Sequence, residues 1–476
     1  MTGSSNGMLD AAGNPTSGTA EGIVRYDRAV DLLLRYDPDV LGAAEQLATA
    51  DAAMPMAQTF LAYLSLMSTD APDVESARAA AAALESLALN EREAAHAAAI
   101  AAWLEGRWSG AARVLDELLI RWPTDILALV MGHLLDFFTG DARNLRDRVG
   151  RSLPSFDPDD PRAAFVKGLQ AFGLEESGDY ARAEAVGLEA LARHPDDVWA
   201  LHAVVHTYEM RGMVDTGIRV MRARERDWGS GNLFRVHNWW HLALYLLEAG
   251  QYDDALTIYD AEVHNECSSG VSLEMLDASA LLWRVTLDGV ETGDRYAALA
   301  SAWERQVFDE PWYVFNDLHA VIAYCGAGRI EDARAIIDRL ERSVASTDEE
   351  PGTNRAMTAE IGVPASRAIV AFVEGDHDDV LAELLPIRSR FHHFGGSHAQ
   401  RDILQRTLTE AAIRSDQLDL ARALLDERLS LRDTSVYGSL ARARVLARRG
   451  DDLGATRERG KAAADRARFA AAAAAG

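Results

Sequence analysis

Apolar residues recur every three or four positions from Ile23 almost to the end of the chain, in stretches separated by short polar breaks. This is the helical period, because residues at i, i+3, i+4 and i+7 share one face of a helix. GIVRYDRAVDLLLRYDP predicts an amphipathic helix ending at Pro38, which cannot continue the ladder. Residues 41–67 and 74–89 predict two further helices, the second alanine-rich with a polar face. No run alternates apolar and polar residues between turn signals, so no sheet is expected.

One pattern then repeats. AAIAAWLEGRWSGAARVLDELLIRWP is built around Gly106, FGLEESGDYARAEAVGLEALARHP around Gly178, and TYEMRGMVDTGIRVM around Gly212. YLLEAGQYDDALTIYDAEV follows around Gly250 and YCGAGRIEDARAIIDRL around Gly328, with looser copies at Gly375 and Gly450. Each has an apolar helix, a glycine turn, an aromatic or aliphatic residue two positions later and usually a small residue five later. Gly106 and Gly140, Gly178 and Gly212, and Asp416 and Gly450 are each 34 residues apart. Several such copies in phase are the mark of a repeat array.

These copies resemble the tetratricopeptide repeat (TPR). In the best of them Trp239, Leu242, Ala243, Leu246, Gly250, Tyr252, Ala255 and Tyr259 stand at repeat positions 4, 7, 8, 11, 15, 17, 20 and 24. Pro123 and Pro195 stand at position 32 of theirs. The resemblance implies an all-α fold, a right-handed superhelical solenoid of antiparallel helix pairs, with the first helix of each pair lining a concave groove. NWWHLAL, with HAVVHTYEM before it and GGSHAQRD after it, is also similar to the tetratricopeptide repeat protein 38 family over most of residues 90–430. That name describes an architecture and implies no reaction. The expected organisation is a disordered tail over 1–20, N-terminal helices over 21–90, the repeat array over 91–465, and a fraying alanine-rich tail over 466–476.

Composition narrows the partners. A chain of 476 residues with 48% hydrophobic content folds, and exceeds one simple core. A formal net charge of −26 argues against a nucleic-acid backbone or an anionic membrane as partner. Cys267 and Cys325 make neither a disulfide framework nor a cysteine zinc site. No apolar run of the ~18–20 residues that span a bilayer is read, nor a secretory signal, so a cytoplasmic location is expected.

The chemistry concentrates between Val198 and Gly250. Phased by Gly212, His202, His206 and Glu209 fall on one groove-facing stripe; phased by Gly250, His237 and His241 form another, with Asn238 and Trp240 between them. Three uses fit. A hydrogen-bonded network would fix the shape of the groove. A divalent-metal site for Zn, Fe or Mn would use His202, His206, Glu209, His237 and His241 as ligands. General acid–base catalysis without metal would use a histidine tuned by Glu209, with His202, His206 and Glu209 as catalytic candidates. HAVVH is not the metalloprotease HExxH, because Ala203 stands where its glutamate would be.

His319, and His96 further away, point the same way by phase. In GGSHAQRD, Ser397 and Gln400 read as a capping box, while His398, Arg401 and Asp402 could reach the groove, Arg401 binding an anion. Asp277 and Arg284, at i, i+7, read as a solvated or paired face. No phosphate loop, GxSxG elbow or dinucleotide fingerprint is present. The leading expectation is a non-catalytic binding protein taking a small polar ligand or a peptide segment. The alternative is a metal-dependent hydrolase, lyase or oxygenase using the same cluster, and a third is a scaffold acting through its convex face.

Overall fold

A computed structural model describes residues 8–306, 310–345, 352–432 and 434–474. The fold is all-α: among the described residues 26 α-helices follow one another, most joined as antiparallel pairs. At Gly212 the amide bonds Glu209 O (3.0 Å) and the next amide, of Met213, reaches back to Tyr208 O (2.8 Å). Gly250 repeats this with Leu247 O (2.9 Å), and Gln251 with Leu246 O (2.8 Å). Such a closure satisfies the last carbonyls of a helix and needs one residue in the left-handed region. Gly212 (φ 66°) and Gly250 (φ 76°) supply it, and so do the other glycines that mark the repeat in the sequence. Tyr36, Thr69 and Asp416 hold the same conformation without being glycine.

The chain forms two compact units. The first comprises Met1–Ala203, Ser230–Phe234 and Glu349–Arg355. Its core lies between paired helices such as Glu91–Leu104 with Trp108–Arg121, where Trp103 and Trp108 are fully buried. The second comprises Val204–Gly229, Arg235–Asp348 and Ala356–Gly476. Its hairpins include Arg235–Glu248 with Tyr252–Ile258, Ser272–Leu287 with Arg295–Trp303, and His398–Arg414 with Leu418–Leu431. Ala243 and Ala255, the small residues of the best repeat copy, are fully buried, so two helices can approach closely there.

Several local expectations are corrected. Residues 8–20 are ordered: Met8–Leu9 pairs antiparallel with Pro15–Thr16. Arg92 is buried in the first unit and takes Asp10 (3.0 Å) and Asp125 (2.6 Å) as partners. Asp10 of this segment thus helps to compensate a buried cation. Residues 1–7 of the expected tail lie outside the described residues. The first helix ends at Leu34 rather than Pro38, which stands at the start of Asp39–Ala50. Residues 41–67 contain two helices, with a break at Asp51 and Pro55 opening the second. The alanine-rich end continues one helix, Asp452–Ala474, which buries Phe469 and Ala472. Thr353–Glu374 is long and apolar enough to cross a bilayer, contrary to the sequence reading, but 61% of its apolar window is buried within the protein.

Candidate functional site

In the second unit, helices carrying Glu209, His241 and Asp277 bring a line of hydrogen-bonded groups together. His237 and His241 lie one turn apart on Arg235–Glu248 and so face the same way. His237 Nδ1 is 2.6 Å from Asp277 Oδ2 on Ser272–Leu287. His241 Nδ1 is 3.2 Å from Glu209 Oε2. The two Nε2 atoms meet at 3.2 Å. His206 packs edge-on against His241, ring centres 4.3 Å apart, and the ligand nitrogens of His206, His237 and His241 lie within 4.8 Å of one another. Trp240 stacks on His237 and meets His241 edge-on.

The proton count follows from chemistry. An ionised carboxylate only accepts hydrogen bonds, so each imidazole offers its Nδ1–H to its carboxylate. Two neutral rings so arranged turn two Nε2 lone pairs towards each other. A shared proton or a metal ion between them would relieve that opposition. Burial, then the nearby His237 and Arg284, hold His241 well below the ordinary imidazole range.

Beside this line the second unit holds a cavity of about 470 Å³. Glu209 belongs to both. Seven arginines line the cavity (284, 406, 428, 432, 444, 459 and 466) against four carboxylates, Glu209, Glu248, Asp288 and Asp402. Tyr245, Tyr252, Tyr437 and several leucines and valines complete the wall. Arg428 is paired with Asp402 through two hydrogen bonds, and Arg406 with Asp288. Although burial pushes Asp402 up, Arg428 and Arg432 hold it well below the carboxylate range. Arg406 also lies over the Tyr437 ring at 4.0 Å. Arg284 differs. It is 3% exposed, donates to Ala280 O and Ala399 O, and sits 5.4 Å over Trp240. Among the described residues no carboxylate lies within ion-pair distance of it. Burial brings its pKa down to about 10, although Asp402 and Glu209 draw it up.

The sequence-predicted residues separate accordingly. His206, Glu209, His237, His241 and Trp240 come together. Glu209 sits behind His241, on its Nδ1, rather than beside the facing nitrogens. His202 belongs to the first unit, packed among Phe172, Trp199 and Phe234 at 4.9–5.0 Å. Asn238 is buried. His319 stands apart: its Nδ1 donates to Phe315 O (2.7 Å) and its ring packs on Phe315. His96, in the first unit, bonds Asp125 and Tyr63. Ser397 and Gln400 form the capping box. Asp402 lines the cavity, whereas Arg401 does not: its guanidinium turns back to Gly396 O and towards His398 Nδ1 (3.3 Å). Its guanidinium thus closes its own glycine turn.

Asp277 and Arg284, read from sequence as a solvated or paired face, are buried in this region, Asp277 paired with His237. The signal that could have found them is Gly289, a left-handed turn residue (φ 74°) like the phased glycines. It escaped because Glu291 stands two positions later, where the repeat has an aromatic or aliphatic residue.

No known protein-family profile matches the sequence. Among solved structures, the chain is similar to the APC/C hetero-tetramer Cut9–Hcn1, at 13% identity over 94% of both chains, with a TM-score of 0.30. It is also similar to Naa15/Naa10 bound to HypK-THB, at 13% identity over 93% of this chain and 63% of that one, with a TM-score of 0.22. At these scores neither bears on function, and the fold rests on the hairpins themselves. The chain is a TPR-like helical-hairpin protein.

Proposed function

We propose that the chain is a TPR-like binding protein whose arginine-lined cavity takes an oxyanion group, a carboxylate or phosphate, borne by a small organic molecule or by an acidic peptide segment. The observation that carries this reading is Arg284, a buried cation on the cavity wall with no ion-pair partner among the described residues. A buried charge is costly unless balanced, and an arginine fork matches the oxygens of a carboxylate or phosphate. The cavity volume falls in the usual range for small-ligand sites. The resemblance to the tetratricopeptide repeat protein 38 family belongs to this reading, since its marks NWWHLAL and GGSHAQRD carry His241 and Asp402. A cytoplasmic setting does too, supported by the burial of Thr353–Glu374.

Thermal shift and calorimetry with inorganic phosphate, citrate and a glutamate-rich peptide test it. Saturable binding of at least one probe is expected, weakened about 10-fold or more in Arg284→Met by the loss of a charge-assisted pair. Binding of phosphate or citrate alone points to a small ligand, and binding of the peptide to a protein segment. If no probe binds, or Arg284→Met binds as tightly as the wild type, the cavity is not the site.

A further inference from the structure

The facing imidazoles raise a separate question, which the anion cavity does not answer. We infer that His237, His241 and His206 form a binding site for a divalent transition-metal ion of the zinc type, with Asp277 and Glu209 fixing two of the rings from behind.

Three features carry this. The first is distance. Zinc bonds imidazole nitrogen at about 2.0–2.1 Å in tetrahedral geometry, so two such ligands stand about 3.3–3.4 Å apart. The Nε2 atoms of His237 and His241 are 3.2 Å apart, with both Nδ1 atoms turned away to carboxylates. The second is the pair of carboxylate–imidazole contacts. Metal-bound histidines habitually donate their other N–H to a carboxylate, which fixes the tautomer and makes the ring a better donor. Here that arrangement occurs twice on adjacent ligands, and the two carboxylates together balance a divalent charge. The third is donor type. A set of nitrogens suits Zn, Cu, Fe or Ni and disfavours Mg or Ca, which want oxygen.

Burial adds selectivity and leaves a way in. His206 and His241 are fully buried, and the His237 side chain is 14% exposed. The competing occupant of the gap is a single proton shared between the two Nε2 atoms.

The full chain, without a histidine tag and stripped by chelator, would be titrated with Zn²⁺ and Co²⁺ in competition with a chromophoric chelator. One ion per chain is expected, with the intense visible absorption of tetrahedral Co²⁺. His237→Gln and His241→Gln should abolish stoichiometric uptake. Asp277→Asn keeps the ring in place but removes the carboxylate, and should weaken affinity about 10–100-fold. Arg284→Met should bind metal no less tightly, which separates this site from the anion cavity. A wild type that takes up no stoichiometric ion, or one whose uptake survives both histidine substitutions, leaves the shared proton as the occupant and overturns the inference. Circular dichroism establishes that each variant is folded; should the histidine variants not fold, wild-type stoichiometry and the cobalt spectrum decide.

Discussion

Arg284 and Arg428 are both buried on the cavity wall, and they differ in what balances them. Arg428 has Asp402 in a two-point pair. Asp402→Asn would leave a buried guanidinium uncompensated and should cost about 3–5 kcal/mol in denaturant unfolding. Arg284→Met removes a charge that has no such partner, so stability should hold or rise while anion binding falls. That opposite pair of outcomes separates a structural arginine from a ligand-facing one. His319 gives a test by pH. Burial, followed by the effect of Arg284 and against the bond to Phe315 O, brings its pKa down to about 4. The unfolded chain, with a histidine near 6.5, therefore binds more protons between pH 6.5 and 4, so this group's contribution to stability is full above 6.5 and falls as pH drops. From pH 7 to 5 the loss is about 2 kcal/mol, and His319→Gln should remove that part of the pH dependence in denaturant titrations. Asp317, pushed up to about 6 by burial despite Arg339, works in the opposite direction, so only the difference between variant and wild type isolates the histidine.

At the scale of the element, the hairpin turns were legible because their constraint is local. A left-handed residue at the end of a helix selects glycine, and glycine is visible in a sequence. Where the chain uses another residue, the same turn was hidden, as at Tyr36 and Thr69. Asp416 was found only by its spacing to Gly450. Its side chain is largely exposed, so Asp416→Gly should relieve the left-handed strain and raise stability by about 0.5–1 kcal/mol in thermal unfolding. Packing between hairpins was less legible. Gly217, five residues after Gly212, admits the Tyr245 ring so closely that an added Cβ would stand 2.2 Å from it. Tyr245 then donates to Val205 O (2.6 Å). Gly217→Ala should lower stability by about 1–3 kcal/mol, read as a fall in the unfolding midpoint, because ring and helix must both move. The site shows the same division. The histidine stripes follow from periodicity within one helix. Asp277 and Arg284 meet them only because a neighbouring helix is laid alongside, and no spacing within Ser272–Leu287 encodes that.

At the scale of the molecule, charge is distributed against its average. A chain of formal net charge −26 holds seven arginines around one cavity. The average charge argued against a nucleic-acid backbone or an anionic membrane as partner, and an average could not reveal a local reversal of sign. That reversal has a kinetic consequence. An anionic ligand must approach through a repulsive field before it meets the attractive one, and the two respond differently to salt. Added salt screens the long-range repulsion, with a Debye length of about 30 Å at 0.01 M and about 8 Å at 0.15 M. The association rate constant should therefore rise with ionic strength, the reverse of a ligand steered by an oppositely charged surface. Dissociation should quicken at the same time, as the arginine contacts weaken. Stopped-flow measurements across that range would show both rates climbing together.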